Sequence, residues 1–287
     1  MAAVIVSGIA AGAVYGLFAL GLVLVYKTTR VLNFAQAEIG AFSTFVAYAL
    51  IVNAGLPWGL GALLALGAAA AVGVGFERAV IRPLVGAPRL TLVVATIGLG
   101  LLLGGLEVKL WGIDPKLLPT PFHGSGLHVA DVYLSPPRLL ALGITAAAGL
   151  LSVWFFRRTT FGLALLAAAH DVVGVRLTGI RLRHLSAFTW GVSSVLGGMA
   201  GIVISLSLGA FAPFFLNRIM LLGFAAAVVG GMTSLPGALL GGIVIGVTEA
   251  LVSHFWISVP GLVEAVMFGT IVVFLLVRPI GLLGRAE

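Results

Sequence analysis

Nine apolar stretches run along the chain, separated by short polar or basic segments. A helical span needs about 20 apolar residues. Read on that rule, the stretches are 4–26, 34–53, 58–76, 91–111, 139–156, 186–208, 219–232, 237–256 and 261–277. The stretch 219–232 is short. It reads either as a half-span or as one arm of a hairpin with the next helix across Thr233, Ser234, Leu235 and Pro236. The stretch 34–53 opens on the polar string Asn33, Gln36 and Glu38, the mark of a helix broken where it enters the membrane. The pattern predicts an all-α, polytopic integral membrane helix bundle of eight or nine transmembrane segments. Residues 1–287 form one transmembrane domain on this reading.

Composition agrees with the pattern. The chain is 61% hydrophobic and 9% charged, where a soluble domain carries about 25% charge. The first apolar run has no basic segment before it and no small-residue cleavage site after it, so it reads as a retained span. The net charge of +7 is read as orientation, because Lys and Arg collect in cytoplasmic loops. Lys27 and Arg30, then Arg78, Arg82 and Arg89, then 157–183, then Arg278 and Arg285 fall on one side if nine segments cross. That side is cytoplasmic, with the N-terminus outside and the C-terminus inside. The outer loops are then 112–137, 209–217 and 258–260. Lys109, Lys116, Arg138 and Arg218 break the asymmetry, and Asp114 and Asp131 partly offset the first three.

Glycine supplies packing. Gly8, Gly12 and Gly16 share a helix face, as do Gly197 with Gly201, Gly237 with Gly241, and Gly242 with Gly246. Helices in lipid associate by close backbone approach at small residues. This argues fold and not function.

Several chemistries are absent. There is no cysteine, no P-loop motif and no recognisable hydrolase or metalloprotease motif, so nucleotide binding through a P-loop and thiolate chemistry are excluded. His123, His128 and Asp131 share an outer loop, where histidines are more often solvated than metal-bound. No metal site, cofactor or nucleic-acid partner is expected.

Polar residues at membrane depth are the candidates for function. Glu249 lies mid-way along its stretch. It is either a pathway residue or a structural glutamate, satisfied by Thr248 or Ser253 or protonated. Asn33, Gln36 and Glu38 either line a pathway or cap the broken helix. Asn33 is a good N-cap residue. Glu77 beside Arg78 is expected to pair or be solvated. Glu107 and Lys109 lie near the outer end of their span and are expected to snorkel.

The remaining informative segment is the basic loop. Arg157, Arg158, Arg176, Arg181 and Arg183 stand there against a single Asp171. As a helix, Leu163, Leu166, Val173 and Leu177 make one stripe, with Ala167, Ala168 and Ala169 beside it. Gly162 and Gly179 bracket it, and Gly174 divides it. An amphipathic segment of this kind lies on a lipid surface or fills a groove in a partner. Its small Ala and Gly side chains favour the partner. The flanking arginines then stay at the headgroups.

These residues resemble a family. Gly12 to Leu17 followed by Val31 to Glu38 looks like the opening span and N-F-A-H-G-E segment of branched-chain amino-acid ABC importer permeases of the LivH type. Phe76-Glu77-Arg78 with Arg82-Pro83-Leu84 is similar to the family's first cytoplasmic loop. The segment 162–180, with Asp171 and Gly179-Ile180 in place, resembles its later cytoplasmic loop. Gly230 to Ala238, Gly241-Gly242 and Glu249-Ala250 resemble its late glycine-rich signature, and 278–285 its R-P-x-G-L-x-G ending. Five such blocks occur in the right order. The chain departs from the family at Gln36-Ala37, where His-Gly is usual, and at Leu165-Leu166, where Arg-Ala is usual.

The resemblance implies an ATP-binding-cassette importer for leucine, isoleucine and valine in the cytoplasmic (inner) membrane. A second permease subunit, two ATP-binding subunits that hold ATP and Mg, and an external substrate-binding protein would be partners, with membrane lipid around them. Gly162, Leu163, Leu166, Ala168, Ala169, Asp171, Gly174, Gly179 and Ile180 would couple to the ATPases. Asn33, Gln36, Glu38 and Glu249 are the candidate pathway residues. The chain itself would be no enzyme. The same machine with urea, amides or other amino acids as cargo is one alternative. An ion-coupled secondary transporter using Glu38 or Glu249 is another, although no convincing inverted repeat is present.

Overall fold

The computed structural model describes residues 1–121, 126–129, 132–170, 182–256, 261–278 and 281–284. Each predicted apolar stretch is helical: α1 Ala2–Thr29, α2 Gln36–Tyr48, α3 Trp58–Phe76, α4 Arg89–Trp111, α5 Pro136–Arg158, α7 Leu182–Leu208, α8 Asn217–Gly230, α9 Leu235–Phe255 and α10 Leu262–Val277. A further helix, α6 Thr160–His170, follows α5 directly. A short antiparallel hairpin, β1 Leu127–Val129 and β2 Val132–Leu134, interrupts the helical pattern in a connecting segment.

Among the described residues, five helices are long and apolar enough to cross a membrane: α1, Trp58–Ile81, α4, Arg183–Leu208 and α9. The pair Leu142–Phe156 and Thr160–Ala167 passes the same test together but is bent by 80°. Thr159, with extended φ of −105° and ψ of 142°, makes the break. α8 and α10 are shorter. α8 has 14 residues, or about 21 Å at 1.5 Å per residue, against a hydrocarbon core of about 30 Å. It forms the hairpin arm allowed by the sequence: Gly231 turns the chain at φ 103°, and Ser234 Oγ caps α9 by accepting from Gly237 N at 3.1 Å.

α1 sits at the centre. It has no polar face, and Phe18, Ala19, Val23 and Val25 are fully enclosed, as expected of a helix apolar all round. It packs against α9, α7, α8 and α5. The contact with α9 runs along the glycine face of α1 that the sequence marks. A Cβ on Gly8 would lie 2.7 Å from Val247 Cα, and one on Gly12 would lie 2.8 Å from Ile243 Cα. Gly16 meets Leu239. Low numbers on α1 pair with high numbers on α9, so the helices are antiparallel. A second seam joins α2 to α7, where a Cβ on Gly201 would lie 2.6 Å from the Gly40 carbonyl oxygen.

This packing gathers the basic segments at one end. Lys27 Nζ donates to Thr233 O at 2.8 Å, joining the end of α1 to the start of α9. Arg82 donates to Arg183 O at 3.3 Å, joining the end of α3 to the start of α7. Leu282 N and Leu283 N donate to the carbonyls of Val229 and Gly230 at 2.8 and 3.1 Å, which returns the C-terminal segment to the same end. At the opposite end, Lys116 and Phe211 exchange backbone hydrogen bonds of 2.8 and 3.0 Å. There Phe45, Trp111 and Phe211 pack ring on ring, with centroids 5.4 and 4.9 Å apart.

Candidate functional site

Gln36 lies at the meeting of α1, α2 and α7, fully buried. Its Nε2 donates to Phe18 O at 2.9 Å, and its Oε1 accepts from Ser193 Oγ at 3.1 Å. Donor and acceptor are both used, as a buried amide requires. The α1 position facing this amide is Gly21, where any Cβ would collide with it. Asn33 does not cap α2 by its side chain. The N-cap position is Ala35, which offers no side-chain oxygen. Asn33 Oδ1 instead accepts from Ala35 N at 3.2 Å, closing a turn before the helix. Its Nδ2 is buried without a partner.

Glu38 points away from Gln36, toward α4, where its Cγ lies 3.6 Å from the Cβ position of Gly100. It interacts electrostatically with Glu107 of α4. A place near the outer end of its span predicts that Glu107 reaches the membrane surface. It is instead fully buried, while Lys109 is exposed. The reason is the connection between α7 and α8. Phe214 folds against Gly104, and its backbone amide faces Glu107 without forming a hydrogen bond of good geometry. Phe214 holds φ at 67°, a strained value for a bulky residue. All four carboxylate oxygens of Glu38 and Glu107 are buried without hydrogen-bond partners.

Glu249 belongs to a separate network. Its Oε2 accepts from Tyr15 of α1, and its Oε1 pairs with Arg218 Nη2 at 3.0 Å. Arg218 Nε also donates to Glu264 Oε1 at 3.0 Å. The network therefore ties α1, α8, α9 and α10 together. Thr248, one partner expected from the sequence, bonds to the Val244 carbonyl. Sequence spacing does not point to Tyr15 or Arg218 as the partners of Glu249. The available signal for Tyr15 was a hydroxyl inside an otherwise apolar glycine face. Arg218 was visible only as a charge out of place. Glu77 meets expectation: it pairs with Arg82 Nη2 at 2.8 Å.

The basic loop is described as far as α6. Gly162 packs against the Phe155 carbonyl, where a side chain would not fit, and its N–H donates to Thr159 Oγ1 at 2.9 Å. Leu165 is buried against the bundle, Leu166 is half-buried, and Leu163 is exposed. Ala168 and Ala169 lie in the last turn of α6. Asp171, Gly174, Gly179 and Ile180 lie outside the described residues, as do His123 and Asp131.

Residues 4–276 match the family described as branched-chain amino acid transport system / permease component. The chain belongs to this family. It is 31% identical to the high-affinity branched-chain amino acid transport system permease protein BraD of Pseudomonas aeruginosa, over 99% of this chain and 95% of that relative. It is 30% identical to the corresponding LivH protein of Escherichia coli strain K12, over 98% and 94%. Among solved structures, PsaBC from Streptococcus pneumoniae in complex with Fab matches with a TM-score of 0.52 and 16% identity, covering 97% of this chain and 91% of that one. That likeness concerns the fold alone. As members of this permease family are transport components, this chain is a multi-pass membrane permease.

Proposed function

We propose that this permease imports branched-chain amino acids as one subunit of an ATP-driven complex. The observation that carries the cargo is the near-full-length similarity to BraD and LivH, both named for high-affinity branched-chain amino acid transport. A second permease completes the pathway, two ATP-binding subunits drive it, and an external binding protein delivers the ligand. The chain performs no chemistry. Uptake by the assembled complex, measured across leucine, isoleucine, valine, urea and short amides, tests the cargo. Saturable uptake restricted to the three branched-chain amino acids is expected. Uptake of urea or amides in their place overturns the assignment.

The bundle crosses the membrane nine times with the shorter helices α2, α8 and α10 all counted as spans, and eight times with one of them left out. The end that gathers Lys27, Arg82, Arg158 and Arg183 faces the cytoplasm, in line with the bias of basic residues. Val85 and Ile113 flank α4 and are both well exposed. Single cysteines there are expected to react with an impermeant thiol reagent from opposite sides, Ile113→Cys from outside and Val85→Cys only after permeabilisation. Reaction of both from outside contradicts this orientation.

α6 and the residues after it dock on an ATPase. The 80° bend turns α6 across the end of the bundle, and Leu163 is left uncovered there. A cysteine at Ala169 is expected to crosslink to an ATPase subunit in the assembled complex. Reaction with lipid-phase probes alone assigns the segment to the membrane surface.

One observation favours a second reading. Glu38 and Glu107 are buried carboxylates without hydrogen-bond partners, the kind of pair an ion-coupled carrier uses at membrane depth. Uptake driven by a proton gradient without ATP would carry that reading.

A further inference from the structure

A groove of about 480 Å³ opens on the side of the bundle between α1, α3, α5 and α7. This is the size of a small-molecule cleft, which runs about 300–1,000 Å³. It lacks the convergent polar groups of such a cleft. Leu24, Val74, Leu151, Phe155, Phe188 and Met199 are typical of its walls, and Ser152 is the polar side chain that enters them. The Ser152 hydroxyl is turned to the Ala148 carbonyl at 2.7 Å. An amino acid, with two charged groups, finds no partner there.

The shape of the groove points to its occupant. Along α7 it runs from Phe188 to Met199, about 16 Å at 1.5 Å per residue. That is half the hydrocarbon thickness of a bilayer, one leaflet deep. A partner helix crossing the membrane would leave a contact stripe twice as long. α5 beside the groove exposes Leu150, Leu151 and Trp154, an apolar face of the kind that lies against lipid.

Three arginines lie within five residues of groove-lining side chains, toward the basic end of the bundle. Phe155 lies just before Arg158 at the end of α5. Phe188 follows Arg183 by little more than a turn at the start of α7. Val74 lies four residues before Arg78, which stands just past the end of α3. All three arginines are exposed. Arg82, nearby, is already paired with Glu77. Exposed arginines at this end of an apolar, leaflet-deep groove suit a phosphate attached to a hydrocarbon chain.

We propose that the groove holds one acyl chain of an anionic phospholipid, with its phosphate against Arg158 and Arg183. The lipid would fill the space between α5 and α7, the two helices that lead into and out of the basic loop, and would brace the base of that loop. The lipid site rests on the chain being a membrane permease. Its readouts involve neither cargo nor ATP, so its failure is distinct from failure of that reading.

The test uses the assembled permease in nanodiscs with spin-labelled phosphatidylglycerol or phosphatidylcholine. The wild type is expected to show a motionally restricted component that is larger for phosphatidylglycerol. Val195→Phe, which fills the groove from α7, is expected to remove the phosphatidylglycerol excess, whereas Val195→Ala keeps it. In the double variant Arg158→Gln/Arg183→Gln, the phosphatidylglycerol component is expected to fall to the phosphatidylcholine level. Ser152→Phe blocks the groove from α5 should the first variant fail to fold. Native mass spectrometry of the wild type is expected to retain anionic phospholipid. Equal restriction of both lipids, or an unchanged component in the blocked variants, overturns the proposal. So does crosslinking of Val195→Cys to the second permease, or loss of all phospholipid in native spectra.

Discussion

Gly12→Leu is expected to abolish assembly of the permease. The first Cβ alone would lie 2.8 Å from Ile243 Cα on α9, and the obstacle is backbone, which cannot rotate away. The two helices would have to separate along the seam that also includes Gly8, Gly16, Gly242 and Gly246. Overpacking a filled core typically costs about 1–3 kcal/mol, occasionally more. Here a whole leucine must enter a backbone contact between the central helix and its main neighbour, so the upper end or beyond is expected. Gly67 provides the control. Nothing lies within 4 Å of its Cβ position, and Gly67→Ala should leave yield and thermal stability unchanged. Size-exclusion profiles and thermal unfolding in detergent measure both. A monodisperse, wild-type-like Gly12→Leu would contradict the α1–α9 seam.

The second large effect concerns Glu249. Both of its oxygens are engaged by partners on other helices, Tyr15 and Arg218, which favours a structural role over a pathway role. Glu249→Ala should leave a buried tyrosine hydroxyl unsatisfied and Arg218 with only Glu264. Loss of a buried polar partner costs about 1–3 kcal/mol. Glu249→Gln keeps an acceptor for Tyr15 and should assemble with most of its transport intact. Glu264→Ala removes the exposed arm of the network, worth about 0–1 kcal/mol, and should be nearly silent. Thermal unfolding should therefore rank Glu249→Ala as least stable, then Glu249→Gln, then Glu264→Ala. A fully assembled Glu249→Gln that has lost uptake would assign the residue to the pathway instead.

The helices were legible because bilayer thickness sets a length that hydrophobicity alone reveals. The glycine faces were legible for a similar reason: spacing of small residues marks a seam. Which seams meet was not, since Gly12 and Ile243 are brought together only by the folded chain. Tyr15 and Glu249 are likewise distant in sequence, and local candidates such as Thr248 were the natural but incorrect partners. Glu107 misled for another reason. Its place near a helix end suggests an exposed carboxylate, and only the strained turn at Phe214 encloses it. Asn33 had the chemistry of a helix cap, but its oxygen is used by Ala35 N one turn early. The resemblance blocks gave the family directly. The coupling segment beyond His170 rests on that resemblance.

The most direct test of the account is reconstitution. The permease, its second permease and both ATP-binding subunits are placed in proteoliposomes, with the binding protein and radiolabelled leucine supplied outside. ATP is enclosed within. The account predicts leucine accumulation that requires ATP, the ATPases and the binding protein, with none from this chain alone under a proton gradient. Accumulation by the chain alone, driven by that gradient and indifferent to ATP, would contradict it.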